Sequence, residues 1–328
     1  MPTREFSLID QYFKGRGHQR KDVVLGIGDD CALLKMPEQN LLAVTTDTLV
    51  AGVHFHHDAP PRAIGHRAVV VNLSDLAAMG ADPAWLSLAI TLPEADEQWL
   101  AEFSAGVVEL CEYYGVALVG GDTTRGPLSI TITAQGTVPQ DKQLTRGGAK
   151  PGDWLYVTGT LGDAGLGLAL IEGREEATAD HREYLLNRHY YPTPRLLAGQ
   201  CLRGVATSAI DLSDGLASDL GHVLDASGCG ANLFLEKIPL SQAMVGTVPL
   251  DKALEYALAA GDDYELLFTI PEAQKGALDT LLAHSGVKHS CIGQLRGGKG
   301  ISFLNHGQPV ELDLKGYEHS WGNHGSED

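Results

Sequence analysis

Five stretches of this chain place aspartate just after an apolar strand or inside a helix. They are Gly-Ile-Gly-Asp-Asp at 26–30, Thr-Thr-Asp-Thr at 45–48, Asn-Leu-Ser-Asp at 72–75, Gly-Gly-Asp-Thr-Thr at 120–124 and Asp-Leu-Ser-Asp-Gly at 211–215. Hard divalent cations such as Mg²⁺ take oxygen ligands, and Thr45, Thr46 and Ser213 add hydroxyls beside the acids. Glycines at 26, 28, 120, 121 and 215 let backbone approach an ion or phosphate without a side chain in the way. A single aspartate at a strand end is ordinarily a turn former or a helix cap. Asp75 is different: it lies in an apolar helical run between Leu73 and Leu76, where aspartate has poor propensity and a buried carboxylate needs a partner.

Carboxylates gathered around cations suit phosphoryl transfer, which needs alignment and neutralised charge more than covalent chemistry. Arg146, in Thr-Arg-Gly-Gly, is placed to take up further charge. An acceptor that is itself a phosphate is already anionic near neutral pH. Such a nucleophile needs little from a general base, in keeping with the lack of an obvious catalytic His or Ser/His/Asp set. The expected chemistry is Mg²⁺-assisted phosphoryl transfer.

Other signatures fail. No GxxxxGK[ST] loop is present, and no HExxH. Glycines 159, 162, 165 and 167 follow a strand and fit either a phosphate-binding turn or close helix–strand packing. His54, His56 and His57 read as a solvated loop, with His54 alone a candidate substrate contact, since no soft ligands lie nearby. Cys31 reads as core filler.

The elements that must hold these residues alternate. Leu41–Thr46 reads as a strand, followed by a helix with Asp58 as candidate cap, Pro60 and Pro61 near its start and Gly80 as its stop. Ala84–Leu92 is a strand. Asp96–Tyr114 is an amphipathic helix ended by Gly115. Val116–Val119 and Leu128–Val138 are strands, and Pro139–Asp153 is a boundary. A second half carries strands at Trp154–Thr158, Ala231–Leu235, Tyr264–Ile270 and Ser290–Leu295, and Ser208–Ile210 leads into a short acidic turn. Its helices start at Thr193–Pro194, run up to Gly228, and cover Glu272–Ser285.

The 328 residues, 44% hydrophobic, suffice for two domains, expected at 1–140 and 150–328. A formal charge of −18 repels nucleic acid and anionic lipid, so neither is an expected partner. No apolar run is long enough for a membrane span, and no secretory signal is expected at the N-terminus. Five scattered cysteines with no CxxC suit a reduced, cytoplasmic setting.

Six motifs occur in order: Gly-Ile-Gly-Asp-Asp-Cys-Ala, Thr-Thr-Asp-Thr-Leu-Val-Ala-Gly-Val-His-Phe, Val-Asn-Leu-Ser-Asp-Leu-Ala-Ala-Met-Gly-Ala, Gly-Gly-Asp-Thr-Thr-Arg-Gly, Ile-Asp-Leu-Ser-Asp-Gly-Leu and Gly-Asp-Asp-Tyr-Glu-Leu. As a set they resemble the thiamine-monophosphate kinase family of the aminoimidazole ribonucleotide synthetase-like superfamily, over essentially the whole chain. The resemblance implies an α/β (α+β) two-domain fold, with an N-terminal domain whose mixed sheet pairs into a β-barrel across a homodimer, and a C-terminal α/β domain. It implies direct in-line transfer from ATP to thiamine monophosphate, giving thiamine diphosphate, with several Mg²⁺ ions. By motif, Asp30, Thr45, Thr46, Asp47, Asp75, Asp122, Asp211 and Asp214 would be metal ligands. Gly121, Asp122, Arg146 and Ser213 would contact ATP, and His54, Asp262 and Tyr317 would lie on the acceptor side. The family often reads Gly-Gly-Glu-Asp-Tyr-Glu where this chain has Ala260-Gly261-Asp262-Asp263-Tyr264-Glu265. Two competing readings are another ATP-using superfamily member, such as a selenophosphate or purine-pathway synthetase, and a non-catalytic acidic scaffold that binds Mg²⁺.

Overall fold

The computed structural model describes residues 5–28 and 30–312; Tyr317 lies outside them. Thirteen strands fall into three sheets among the described residues. A short hairpin pairs β1 (Val23–Leu25) with β2 (Leu33–Leu34). The N-terminal half builds a four-stranded mixed sheet from β3 (Asn40–Val50), β4 (Asp82–Leu92), β5 (Ala117–Arg125) and β6 (Ser129–Pro139), in the order β3-β6-β4-β5. Only the β4/β5 pair is parallel. The C-terminal half builds a seven-stranded sheet from β7 (Trp154–Thr158), β8 (Ser208–Asp211), β9 (Gly230–Phe234), β10 (Leu266–Ile270), β11 (His289–Arg296), β12 (Gly300–Asn305) and β13 (Gln308–Val310). Its order is β13-β12-β9-β11-β7-β10-β8.

Alternation along β6 explains the first sheet. Ile130, Ile132 and Ala134 are buried beneath the helices Pro61–Ala78 and Glu97–Tyr114, while Thr131, Thr133 and Gln135 face the other way. Asp96 caps the second helix by accepting from the Gln98 and Trp99 amides, and Gly115 closes it at φ +67°. The first helix has apolar residues all round and is buried between both sheets. It touches the second helix backbone to backbone: a Cβ on Gly65 would meet the Phe103 carbonyl oxygen at 2.2 Å, and one on Gly106 the Arg62 carbonyl oxygen at 2.2 Å. Strand β10 is buried on both faces. Leu266, Phe268 and Ile270 join the core shared with the N-terminal helices, and Leu267 joins a second core under the far face.

Several sequence expectations are corrected. Asp58 does not cap the first helix, which opens on Pro60 and Pro61 with no side-chain cap; proline's missing N–H costs nothing there. Thr193 does not cap the next expected helix, which begins at Leu196 after Arg195. The segment 272–285 is not one helix: it breaks into Glu272–Lys275, Leu278–Leu282 and a final 3₁₀ turn, with Gly276 at the break. Cys31 is exposed on the hairpin rather than packed in a core. Glycines 159, 162, 165 and 167 serve packing: Cβ atoms there would strike Glu265, the Tyr256–Ala257 backbone, Ala260 and the Leu185 carbonyl.

Candidate active site

The strand β3 and the buried helix Pro61–Ala78 bring the first acids together. On β3, Thr45 and Asp47 share the face turned toward the helix, and Thr45 Oγ1 donates to Asp75 Oδ2. Asp47 and Asp75 are mutually adjacent. Burial first, then the charge and hydrogen bonding of Asp75, push the Asp47 carboxyl up to about 6. Burial also raises Asp75, against the Thr45 hydroxyl, the Arg146 charge and Asp47. Asp211, at the end of β8, joins from the C-terminal half. Ser74 Oγ donates to its Oδ2 at 2.7 Å, yet burial and the Asp75 charge push it up to about 7.

The turn after β8 is fixed by a residue that the motif reading did not single out. Asp219, in the first turn of the helix Leu216–Ser227, accepts from the Ser213 and Asp214 amides at 3.1 Å each. Its burial raises it to about 7. Its spacing, one helical turn past Gly215, was the available signal.

Asp47, Asp75, Asp211, Ser213 and Asp214 line one cavity of about 910 Å³ at the junction of the halves, together with His54 and Asp262. His54 Nδ1 accepts from the Val50 amide at 3.0 Å, which fixes its ring in the turn after β3. Two side chains missed in the sequence also line it. Arg67, on the same helix as Asp75, binds Asp262 Oδ1 through Nη2 at 2.5 Å, and His189 lies near it. Burial and the Arg67 charge pull His189 down to about 4, so its ring is neutral at neutral pH. The signal for Arg67 was the one used for Asp75: a charge inside an apolar helix.

Not every expected residue converges. Thr46 faces away from Asp47 and bonds Thr133 at 2.8 Å. Asp122 lies on that same outer face, in the cross-strand row Thr48–Thr131–Ala89–Asp122. Three strand spacings separate it from β3, about 14 Å. The expected convergence of Asp122 and Thr46 with Asp47 therefore fails within one chain, because side chains alternate across a sheet. Gly121 pairs with Leu88, where a Cβ would overlap the Leu88 carbonyl at 1.8 Å; the register of the sheet requires glycine there. Asp30 is exposed in the hairpin loop, and Arg146 is exposed but near enough to Asp75 to lower it. Among the described residues no three His, Cys, Asp or Glu side chains are grouped so as to hold a metal ion by themselves. The Asp47–Asp75 pair nonetheless fits Mg²⁺, an ion usually held by one or two carboxylates, with water and substrate phosphates completing its shell.

Comparison with known proteins decides the family. The AIR synthase related protein N-terminal domain family matches residues 28–138, and its C-terminal domain family matches residues 150–304. The thiamine-monophosphate kinase of Escherichia coli (strain K12) is 56% identical over 321 residues, 97% of this chain and 99% of that protein. The chain belongs to the thiamine-monophosphate kinase family. Among solved members of this family, the enzyme from Stenotrophomonas maltophilia K279a is 43% identical with a TM-score of 0.83, covering 89% of this chain and 93% of that one. The structure of AaThiL complexed with AMPPCP and TMP is 33% identical with a TM-score of 0.75, covering 90% and 92%. The kinase-family fold is thus the two-domain α/β arrangement expected from the sequence. The described chain contains open mixed sheets and no closed barrel.

Proposed function

We propose that this protein phosphorylates thiamine monophosphate with ATP, giving thiamine diphosphate and ADP. The observation that carries the reading is the adjacent carboxylates Asp47 and Asp75, with Asp211 beside Asp75, in a cavity large enough for two ligands. Family membership and a 33% identical relative that holds AMPPCP, an ATP analogue, and TMP support it.

In this reading the anionic phosphate oxygen of the acceptor attacks the γ-phosphorus of ATP, and the bond to the β-phosphate oxygen breaks. No proton need leave the nucleophile near neutral pH. Asp47, Asp75, Asp211 and Asp214, with Thr45, would hold Mg²⁺. When bound, Mg²⁺ supplies charge neutralisation for the phosphate oxygens. Arg146, Ser213 and the Gly121–Asp122 segment are assigned to ATP, and His54 and Asp262 to the acceptor. The domains at 1–140 and 150–328 then contribute opposite walls. Incubation of the pure protein with thiamine monophosphate, ATP and Mg²⁺, with thiamine diphosphate formation followed by chromatography, tests this. ATP use on another acceptor only would favour a synthetase, and no ATP use a scaffold.

Thr46, Asp122 and Asp30 enter the set in this reading when a second copy closes the outer face of the four-stranded sheet. That face exposes Leu42 and Val44 at 49% and 57%, beside a band of threonines. Mixing inactive Asp47→Ala and Asp122→Ala proteins should restore about a quarter of wild-type activity, since half of the random dimers carry one intact site. No recovery would place Asp122 with its own chain. Five free thiols and the lack, among the described residues, of a helix long and apolar enough to cross a membrane are in keeping with a cytoplasmic location.

A further inference from the structure

We propose that Arg67 is a positioning residue that, with Tyr264, clamps Asp262 at the cavity wall so that Asp262 receives the cationic ring end of the acceptor. The inference rests on the functional reading above and specifies what that site selects.

The loop that carries Asp262 is held in an unusual shape. Asp262 and Tyr264 have φ +72° and +50°, in the left-handed region that side-chain-bearing residues seldom occupy. Backbone bonds hold them there: the Asp262 amide donates to the Ser213 carbonyl and the Tyr264 amide to the Leu212 carbonyl, each at 2.9 Å. The loop is thereby tied to the turn that bears Asp211 and Asp214. Gly261 fits because a Cβ there would lie 2.2 Å from the Ser213 carbonyl oxygen.

Side chains complete the clamp. Arg67 Nη2 forms an ion pair with Asp262 Oδ1 at 2.5 Å, and the Tyr264 hydroxyl donates to the same oxygen at 3.0 Å. Oδ2 is the oxygen left for the cavity, onto which the Asp262 side chain opens with 26% exposure. Arg67 itself is only 8% exposed, and its buried Nε has no hydrogen-bond partner. A guanidinium kept solely to join two domains would be expected to use that nitrogen as well. Pairing with Arg67 does not make the wall positive. Eight carboxylates line the cavity against three permanent cations, so a cationic ligand is still attracted.

Geometry adds direction. Arg67, Val71 and Asp75 all line the cavity, at four-residue steps along one helix face. The eight residues from Arg67 to Asp75 span about 12 Å of helix axis. The phosphate end of the acceptor and its ring end are thus addressed from a single rigid element.

The test is steady-state kinetics of Arg67→Lys, Tyr264→Phe, Asp262→Asn and the Arg67→Lys/Asp262→Asn double variant. Two acceptors are used: thiamine monophosphate and an isosteric phosphate whose ring carries no charge. Arg67→Lys keeps the charge and loses the fork, so it guards against simple unfolding, and Tyr264→Phe removes one donor only. The expected result is about a tenfold rise in KM for thiamine monophosphate in each single variant, about the effect of one charge-assisted hydrogen bond. The KM for ATP should stay within about twofold. The wild-type preference for the charged acceptor should collapse in Asp262→Asn, and the double variant should be no worse than that single change. Equal losses on both acceptors, additive losses in the double variant, or a fall in kcat with unchanged acceptor KM would overturn the inference alone. A wild-type protein that makes no thiamine diphosphate would overturn the functional reading and this inference together.

Discussion

Two groups of buried acids lie close together in this molecule and behave in opposite ways. Asp75 lies beside both Asp47 and Asp211, with no arginine bonded to any of them in the described structure, and burial raises all three carboxyls. Glu265 is buried more completely, yet its carboxyl is lowered. Burial pushes it up, but hydrogen bonds from Arg195 and Thr158 and the charges of Arg195 and Arg188 outweigh that. The second group pins the helix Ala179–Tyr190 and Arg195 to β10 and is complete within the chain. The first has no such arginine clasp within the described chain, in keeping with the Mg²⁺ proposed for it. A buried acid is therefore evidence of a site only after its counter-charges have been counted.

The comparison breaks most visibly by removing acids from each group. Asp47→Ala or Asp75→Ala should lower turnover by about three orders of magnitude or more, while the melting temperature without metal holds or rises because a repulsion has been relieved. Unchanged thiamine diphosphate formation in either variant would sink the metal assignment. Glu265→Ala should do the reverse, costing about 3–5 kcal/mol of stability by leaving the half-buried Arg195 without its carboxylate, while Arg188 keeps only its longer contact to Asp163. Its thermal unfolding should begin well below that of the wild type, and an unshifted melting curve would refute the pinning role.

Between these lies pH. Asp47 and Asp211 hold their protons more tightly folded than unfolded, so the folded state binds more protons above pH 4. Their contribution to stability without metal is therefore fully present below about pH 4 and is lost as pH rises through about 6 to 7. Mg²⁺ should raise the melting temperature by several degrees at pH 8, about the effect of 2–3 kcal/mol of binding, and by much less at pH 5. A Mg²⁺ effect equal at both values would contradict the crowded-acid account. The smallest effect belongs to Ser74→Ala. It removes the hydrogen bond to Asp211 at a cost of about 1 kcal/mol and should move the acid limb of the pH–rate profile upward without abolishing turnover.

Much of the fold was legible in the chain. Trp154–Thr158 falls where its apolar run ends, and Glu97–Tyr114 lies between the Asp96 and Gly115 signals. The helices Asp163–Ile171 and Ala179–Tyr190 were not legible: the first is short, glycine-rich and buried nearly all round, and the second is mostly polar with only Leu185 and His189 buried. For the site, charges set into apolar runs were the reliable signal, and Asp75 shows it. Thr45 and Thr46 show what composition alone misses, since adjacent residues of a strand face opposite sides. In Gly-Asp-Asp-Tyr-Glu one motif does several jobs: Asp262 faces the cavity, Asp263 accepts from the Gly162 amide at 2.7 Å, and Glu265 holds two arginines. Four adjacent polar letters cannot announce such a division of labour.

Where Gly65 and Gly106 meet, the two N-terminal helices interlock like a key in its slot. A shaft held that way can neither roll nor slide without collision, so the bearings of its charged side chains are set by two residues that have no side chain. Substitutions at this crossing would detune the enzyme from about the far side of the rod, leaving every polar group in place but aimed wrongly.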